Sequence, residues 1–266
     1  PIVTAQGRIS ANETSLLVYL TAFFTAVSIG LFRTIWLNAT QVEVYALHFL
    51  FISLFVLLSV RVIQHLQSPR KADWVWLFLV LGLSAANHST TIYFLPGIAY
   101  LIYLQYKAGK EFARSVLPFV LLVVPGLLLY LILMVAASYG PYLNWSNPTS
   151  IGSLINHLRG ADFSQLMFSS SSKFSENFAA FFKGVASEMA FLPLLLAVIG
   201  LWVYNKVNKT FLIFSLIGIV VSLLYSFTYN TIEITSFYLL VYYQLGLMIS
   251  GTVLYFASRG KLITAA

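Results

Sequence analysis

A polar island, GLSAANHST at residues 82–90, interrupts an apolar run that extends over residues 74–106. Read as one helix, 75–105 would measure roughly 46 Å at about 1.5 Å per residue, well beyond a hydrocarbon core of about 30 Å. Read as two spans of about 15 residues each, the run fits a bilayer if the island lies at the far face. The flanking charges favour the second reading. Arg61, Arg70 and Lys71 precede the run and Lys107, Lys110 and Arg114 follow it, so a hairpin puts both basic flanks on one side. The expectation is a hairpin with its basic ends in the cytoplasm and a polar turn, holding Asn87 and His88, on the extracytoplasmic face.

Composition agrees with a membrane chain. Residues are 59% hydrophobic and only 9% charged, and the mean hydropathy is +0.86, which excludes an ordinary soluble domain. A net charge of +7 would suggest nucleic acid in a soluble protein. Here Lys and Arg fall mostly in short loops between apolar runs, so the charge reads as topology and implies no nucleic-acid partner. The chain has no cysteine, which removes disulfides, thiolate metal sites and cysteine nucleophiles. It begins at Pro1 with a polar stretch that lacks a signal-peptide pattern, and the expectation is either a processed beginning or a piece of a longer protein.

Further apolar runs at 15–35, 44–60, 116–137, 189–204, 211–227 and 236–256 join the hairpin to give an all-α, polytopic chain of eight transmembrane helices. Pro118 and Pro125 are expected to kink the fifth. The chain divides into N-terminal transmembrane helices at 1–137, an extracytoplasmic loop region at 138–188 with a short amphipathic segment at 151–158, and C-terminal transmembrane helices at 189–266. Only Arg33, Arg159, Lys173 and Lys183 then lie outside, as the positive-inside rule requires. Glu43, Asp162, Glu176, Glu188 and Glu233 also lie outside, so carboxylate chemistry belongs to that face. No Walker loop, GxGxxG or His-Glu-x-x-His pattern is present.

Polar clusters converge there. TQVEVY carries Glu43 and Tyr45, AANHST carries Asn87 and His88, the long loop carries Asn144, Trp145, Asn147, Arg159 and Asp162, and YNTIEIT carries Glu233. Asn87 and His88 offer hydrogen-bond donors, and an imidazolium would add positive charge, both suited to a phosphate at the membrane surface. Glu43 is either a hydrated helix end or a carboxylate held by a cation, and one carboxylate is a weak basis for a Mg or Mn site. A sugar could stack on Trp145, but for that residue alone an aromatic belt is the better reading. His48 and Glu188 read as structural, and His65 and His157 carry no pattern.

In order along the chain, WLNATQVEVYALHFLF, GLSAANHSTTIYFLPG, GPYLNWSNPTSIGSLINHLRGADFSQLMF and YNTIEITSFYLL resemble a bacterial membrane family, once a domain of unknown function, that is related to the plexin-type protein O-mannosyltransferases. The resemblance implies a GT-C-like glycosyltransferase in the bacterial inner membrane. Such an enzyme takes a sugar from a polyprenyl-phosphate donor and passes it to an acceptor hydroxyl, on protein or glycan, outside the cytoplasm. It also implies Glu43 as the carboxylate near the donor phosphate or a metal, and His88, Asn87 and Arg159 as the phosphate contacts. The family's usual catalytic acid, in a first outer loop, has no counterpart here. A truncated chain, a base from a partner, or a non-catalytic scaffold of the same fold would each account for that. A transporter ranks behind these, because the polar residues gather at one face rather than at the midplane.

Overall fold

In a computed structural model, described here for residues 11–168, 171–231 and 234–264, the chain is helical throughout apart from its connections. Its helices are α1 (Ala11–Gly30), α2 (Arg33–Thr40), α3 (Tyr45–Gln64), α4 (Lys71–Asn87), α5 (Phe94–Ala108), α6 (Lys110–Val116), α7 (Val124–Leu128), α8 (Leu131–Ser138), α9 (Ile151–Leu158), α10 (Ser171–Met189), α11 (Phe191–Val207), α12 (Lys209–Phe227) and α13 (Leu239–Thr264). Among the described residues the only strand-like pairing is an isolated bridge between Met167 and Tyr229. Among the described residues four helical stretches are long and apolar enough to cross a membrane, namely Tyr45–Gln64, Lys110–Ser138, Lys209–Phe227 and Ile234–Arg259. Two bent pairs, Leu16–Gly30 with Arg33–Thr40 and Lys173–Met189 with Phe191–Val207, bring the number to six where each pair counts as one span. The chain is an integral membrane protein by these spans.

The run at 74–106 is two helices, α4 of 17 residues and α5 of 15 residues. They are joined by His88 and a 3-10 turn, Ser89–Tyr93. Across the reversal the hydroxyls of Ser84 and Thr91 meet at 2.6 Å in a buried hydrogen bond. At the other end of α4 the buried Asp73 carboxylate takes Arg61 Nε at 2.9 Å and His65 Nδ1 at 2.7 Å. This fastens α3 to α4 where the basic loops gather, and it gives His65 the partner that its sequence context concealed.

Proline does to residues 110–138 what its missing N–H and fixed φ require. Pro118 and Pro125 stand in the first turns of a 3-10 stretch, Leu117–Val123, and of α7, so the span is segmented rather than straight. Its closest support is α4, where Gly82 and Gly126 let the two backbones touch.

Two features depart from the sequence-based expectation. The first span does not run straight through residue 35: the helix ends at Gly30 and resumes in α2 after a 70° bend. The region 138–188, read as a loop with one short helix, also contains the 19-residue α10. Its buried face carries Phe181, Val185 and Met189, with the Phe181 ring against Phe227 at the end of α12 and Tyr242 near the start of α13, and Asn177 donates to the carbonyls of Ser226, Phe227 and Tyr229. At Ala190, in the left-handed region at φ 59°, the chain turns 109° from α10 into α11.

Candidate functional site

The site end of the bundle is built from the start of α3, the α4–α5 turn, the end of α12 and the loop region beyond α8. Thr90 is its pivot. The buried Thr90 hydroxyl lies 2.7 Å from His88 Nδ1 and 2.8 Å from His48 Nε2, and the Thr90 backbone N–H also donates to His88 Nδ1, at 3.2 Å. The His88 ring sits against those of His48, at 5.0 Å, and Tyr45, at 5.2 Å. Burial holds the His88 imidazole down to a pKa of about 4, so it is neutral at pH 7 rather than the imidazolium envisaged from sequence.

A cavity of about 480 Å³ opens beside His88. Its walls are apolar side chains of α4, α5 and the proline-broken span, and its polar atoms come from His88, Ser89, Thr91, Tyr130, Arg159 and Tyr225. Arg159 reaches it from the end of α9, a helix that begins at a capping box between Ser150 and Ser153. The end of the loop region is stitched down by Phe168 N–H to the Thr228 carbonyl at 2.9 Å and Asn230 N–H to the Leu166 carbonyl at 2.8 Å. Tyr130 donates to the Ala85 carbonyl at 2.6 Å, closing the wall next to the last turn of α4. The one guanidinium and the neutral imidazole can bind an anionic or acceptor-rich group, and the apolar walls can take a hydrocarbon.

The residues singled out from sequence divide into three groups. His88 and Arg159 share the cavity. Asn87 turns away: its side-chain amide donates to the Val44 carbonyl at 3.2 Å, and it lines a separate apolar groove with Leu47, Phe51 and Leu133. Asn144, Trp145, Asn147 and Asp162 form a cluster of their own. In it Asn144 donates to Asn147 at 2.8 Å, Trp145 packs on Phe163, and Ser146 joins Asp162 to His157. Glu43 is exposed, just ahead of Val44 and Tyr45. Glu233 lies outside the described residues. Among the described residues no group of three or more His, Asp or Glu side chains is placed to hold a metal ion.

Sequence reading missed His48, Thr90, Tyr130 and Tyr225. His48 looks like a core residue because its neighbours on α3 are apolar, and the only hint is that it follows Tyr45 by one helical turn.

No curated protein and no solved structure matches the chain. Residues 3–111, the stretch that carries Glu43, Tyr45, His48, Asn87, His88 and Thr90, match the family model described as Protein O-mannosyl-transferase TMEM260 N-terminal domain.

Proposed function

We propose that the chain is the membrane core of a GT-C-like glycosyltransferase, which moves a sugar from a polyprenyl-phosphate donor to an acceptor hydroxyl on protein at the extracytoplasmic face of a bacterial inner membrane. The observation that carries this reading is the meeting of His88 and Arg159 at one otherwise apolar cavity. A phosphate attached to a long hydrocarbon is the ligand whose two halves match those two kinds of wall. The matched family's description, a protein O-mannosyl-transferase, favours mannose as the sugar and protein as the acceptor. In this topology α4 and α5 are short spans that join α1, α3, α11, α12, α13 and the proline-broken span, making eight.

The chemistry needs a base to take the acceptor proton while the hydroxyl oxygen attacks the anomeric carbon and the bond to the phosphate oxygen breaks. Arg159 and His88 stabilise the departing phosphate by charge and hydrogen bonding. Glu43 is assigned as the carboxylate, acting as base or with Mg or Mn. Tyr45, Asn144, Trp145, Asn147, Asp162 and Glu233 are assigned to the acceptor side, with Asn87 holding the turn that carries His88.

One observation favours a second reading, a lipid-phosphate-binding scaffold: among the described residues the cavity lining includes no Asp or Glu. A transfer assay in liposomes with polyprenyl-phosphate mannose, run beside a binding assay with farnesyl phosphate, separates the two. Transfer that is lost in Glu43→Gln, with binding retained, supports the enzyme. Binding without transfer supports the scaffold, and wild-type protein that binds no farnesyl phosphate sinks both.

A further inference from the structure

We infer that Thr90 and His48 are positioning residues that fix the tautomer of His88, so that His88 meets its ligand as a neutral Nε2–H donor. The inference rests on the reading of the cavity as a lipid-phosphate site only for the identity of that ligand; the tautomer follows from the hydrogen bonds alone.

The direction of each bond is forced in turn. A backbone amide has only a hydrogen to offer, so the Thr90 N–H at 3.2 Å makes His88 Nδ1 an acceptor. With Nδ1 unprotonated, the Thr90 hydroxyl 2.7 Å away donates to the same single lone pair, which the hydroxyl and the weaker amide contact share in a three-centre bond. The hydroxyl oxygen remains free to accept, and His48 Nε2 at 2.8 Å supplies the N–H. His48 Nδ1, which is buried and makes no hydrogen bond, is left as a bare lone pair. The chain therefore runs from His48 Nε2–H to Thr90 Oγ1–H to His88 Nδ1, and the proton of the neutral His88 ring has only Nε2 to occupy.

The surroundings hold this arrangement in place. Ser84 and Thr91 pair across the turn, Asn87 ties it to α3, and the His48 ring packs against both His88 and Phe94. Thr90 is itself buried, so water does not compete for its hydroxyl. An Nε2–H donor suits an ester or phosphate oxygen and cannot accept a proton, which places general-base chemistry on another group. It also gives the site one formal positive charge, at Arg159, with a neutral donor opposite.

The experiment is nitrogen-15 NMR of histidine-labelled protein in nanodiscs at pH 7, with the His88 signals assigned by their loss in His88→Gln. The expected spectrum is the neutral Nε2–H tautomer. Thr90→Val should blur the tautomer preference and weaken farnesyl phosphate binding about tenfold, the worth of one misdirected hydrogen bond, and Thr90→Ser should restore both. A wild-type Nδ1–H tautomer, an imidazolium at pH 7, or a Thr90→Val protein that binds like wild type overturns the inference. The wild-type tautomer is read without any substitution, so a variant that fails to fold leaves the inference exposed. An Nε2–H tautomer in protein that binds no farnesyl phosphate upholds the positioning role and removes the phosphate reading instead.

Discussion

Glu188, at the end of α10, accepts two hydrogen bonds from Thr34 at the start of α2, one from the backbone N–H at 2.6 Å and one from the hydroxyl at 3.0 Å. The carboxylate occupies the place of a helix cap: it satisfies an orphan N–H in the first turn and sits at the positive end of the helix. Because α2 also carries Asn38, which accepts from Ser236 at 2.9 Å, the cap joins three parts of the site end. Glu188→Ala should cost about 1–2 kcal/mol, as loss of a cap does, whereas Glu188→Gln, which keeps one acceptor oxygen, should cost less. Thermal unfolding midpoints in one detergent decide it; equal midpoints for wild type and Glu188→Ala would remove the cap from the account.

A second expectation concerns the crossing of α4 with the proline-broken span. A Cβ on Gly82 would stand 2.7 Å from the Val123 carbonyl oxygen, and one on Gly126 would strike the Gly82 carbonyl. Gly126→Ala should destabilise by about 1–3 kcal/mol, the range for overpacking at a tight contact. Gly109→Ala is the control, since nothing lies within 4 Å of its added Cβ. Similar losses in both would mean that backbone freedom, not contact, matters at these positions.

At the opposite end, Asp73→Asn should loosen the α3–α4 hairpin. Asp73 is buried while its partner Arg61 is half exposed, so the loss is the milder kind, about 1–3 kcal/mol. Removing Arg61 instead leaves a buried carboxylate with His65 alone and should cost at least as much. A double-mutant cycle between Arg61 and Asp73 with no coupling would refute the clamp.

The pH dependence of stability has a definite sign. In the unfolded chain His88 titrates near 6.5, and in the fold, pushed down by burial, at about 4. Between those values the unfolded state binds a proton that the folded state refuses, so stability falls as pH drops from 6.5 to about 4 and levels off below. The groups facing the ring are His48, Thr90 and Tyr45, with Arg159 on the shared cavity, and none supplies a negative charge to reverse the trend. The loss from His88 should reach about 3 kcal/mol, and His88→Gln should make the profile shallower over that window. A profile with the same slope in the variant would assign the effect to other groups.

How much of this was legible in the sequence varied with how local the cause is. The break of the 74–106 run into two helices was readable because its length and its polar interruption agree. The short helix at 151–158 was readable because its apolar residues keep helical spacing behind a serine cap. The bend after Gly30 was not, since the apolar run continues through Leu31 and Phe32 and the group that caps the new helix comes from Glu188. Nor was α10, whose stretch alternates polar with aromatic residues until Phe181 finds Phe227 of α12 and Tyr242 of α13 to cover it. Asn87 lines a different cavity from His88 because neighbours in sequence on a turning chain can face different ways. His48 stayed hidden because its partner, Thr90, belongs to another helix pair.

The wall formed by Lys110–Ser138 has a further consequence. Only 6% of its most apolar window is buried, against 56% for Ile234–Arg259, and yet Val123, Leu127 and Tyr130 of that wall close one side of the cavity. It is therefore a side whose outward movement exposes little packed surface, and its outer face, with Leu121, Leu128 and Ile132 exposed, is apolar. A ligand dissolved in the bilayer would arrive through this shutter sideways, without passing through water. Occupancy of the cavity would then follow the ligand's mole fraction in the membrane and the fluidity of the surrounding lipid, rather than its concentration in the aqueous phase.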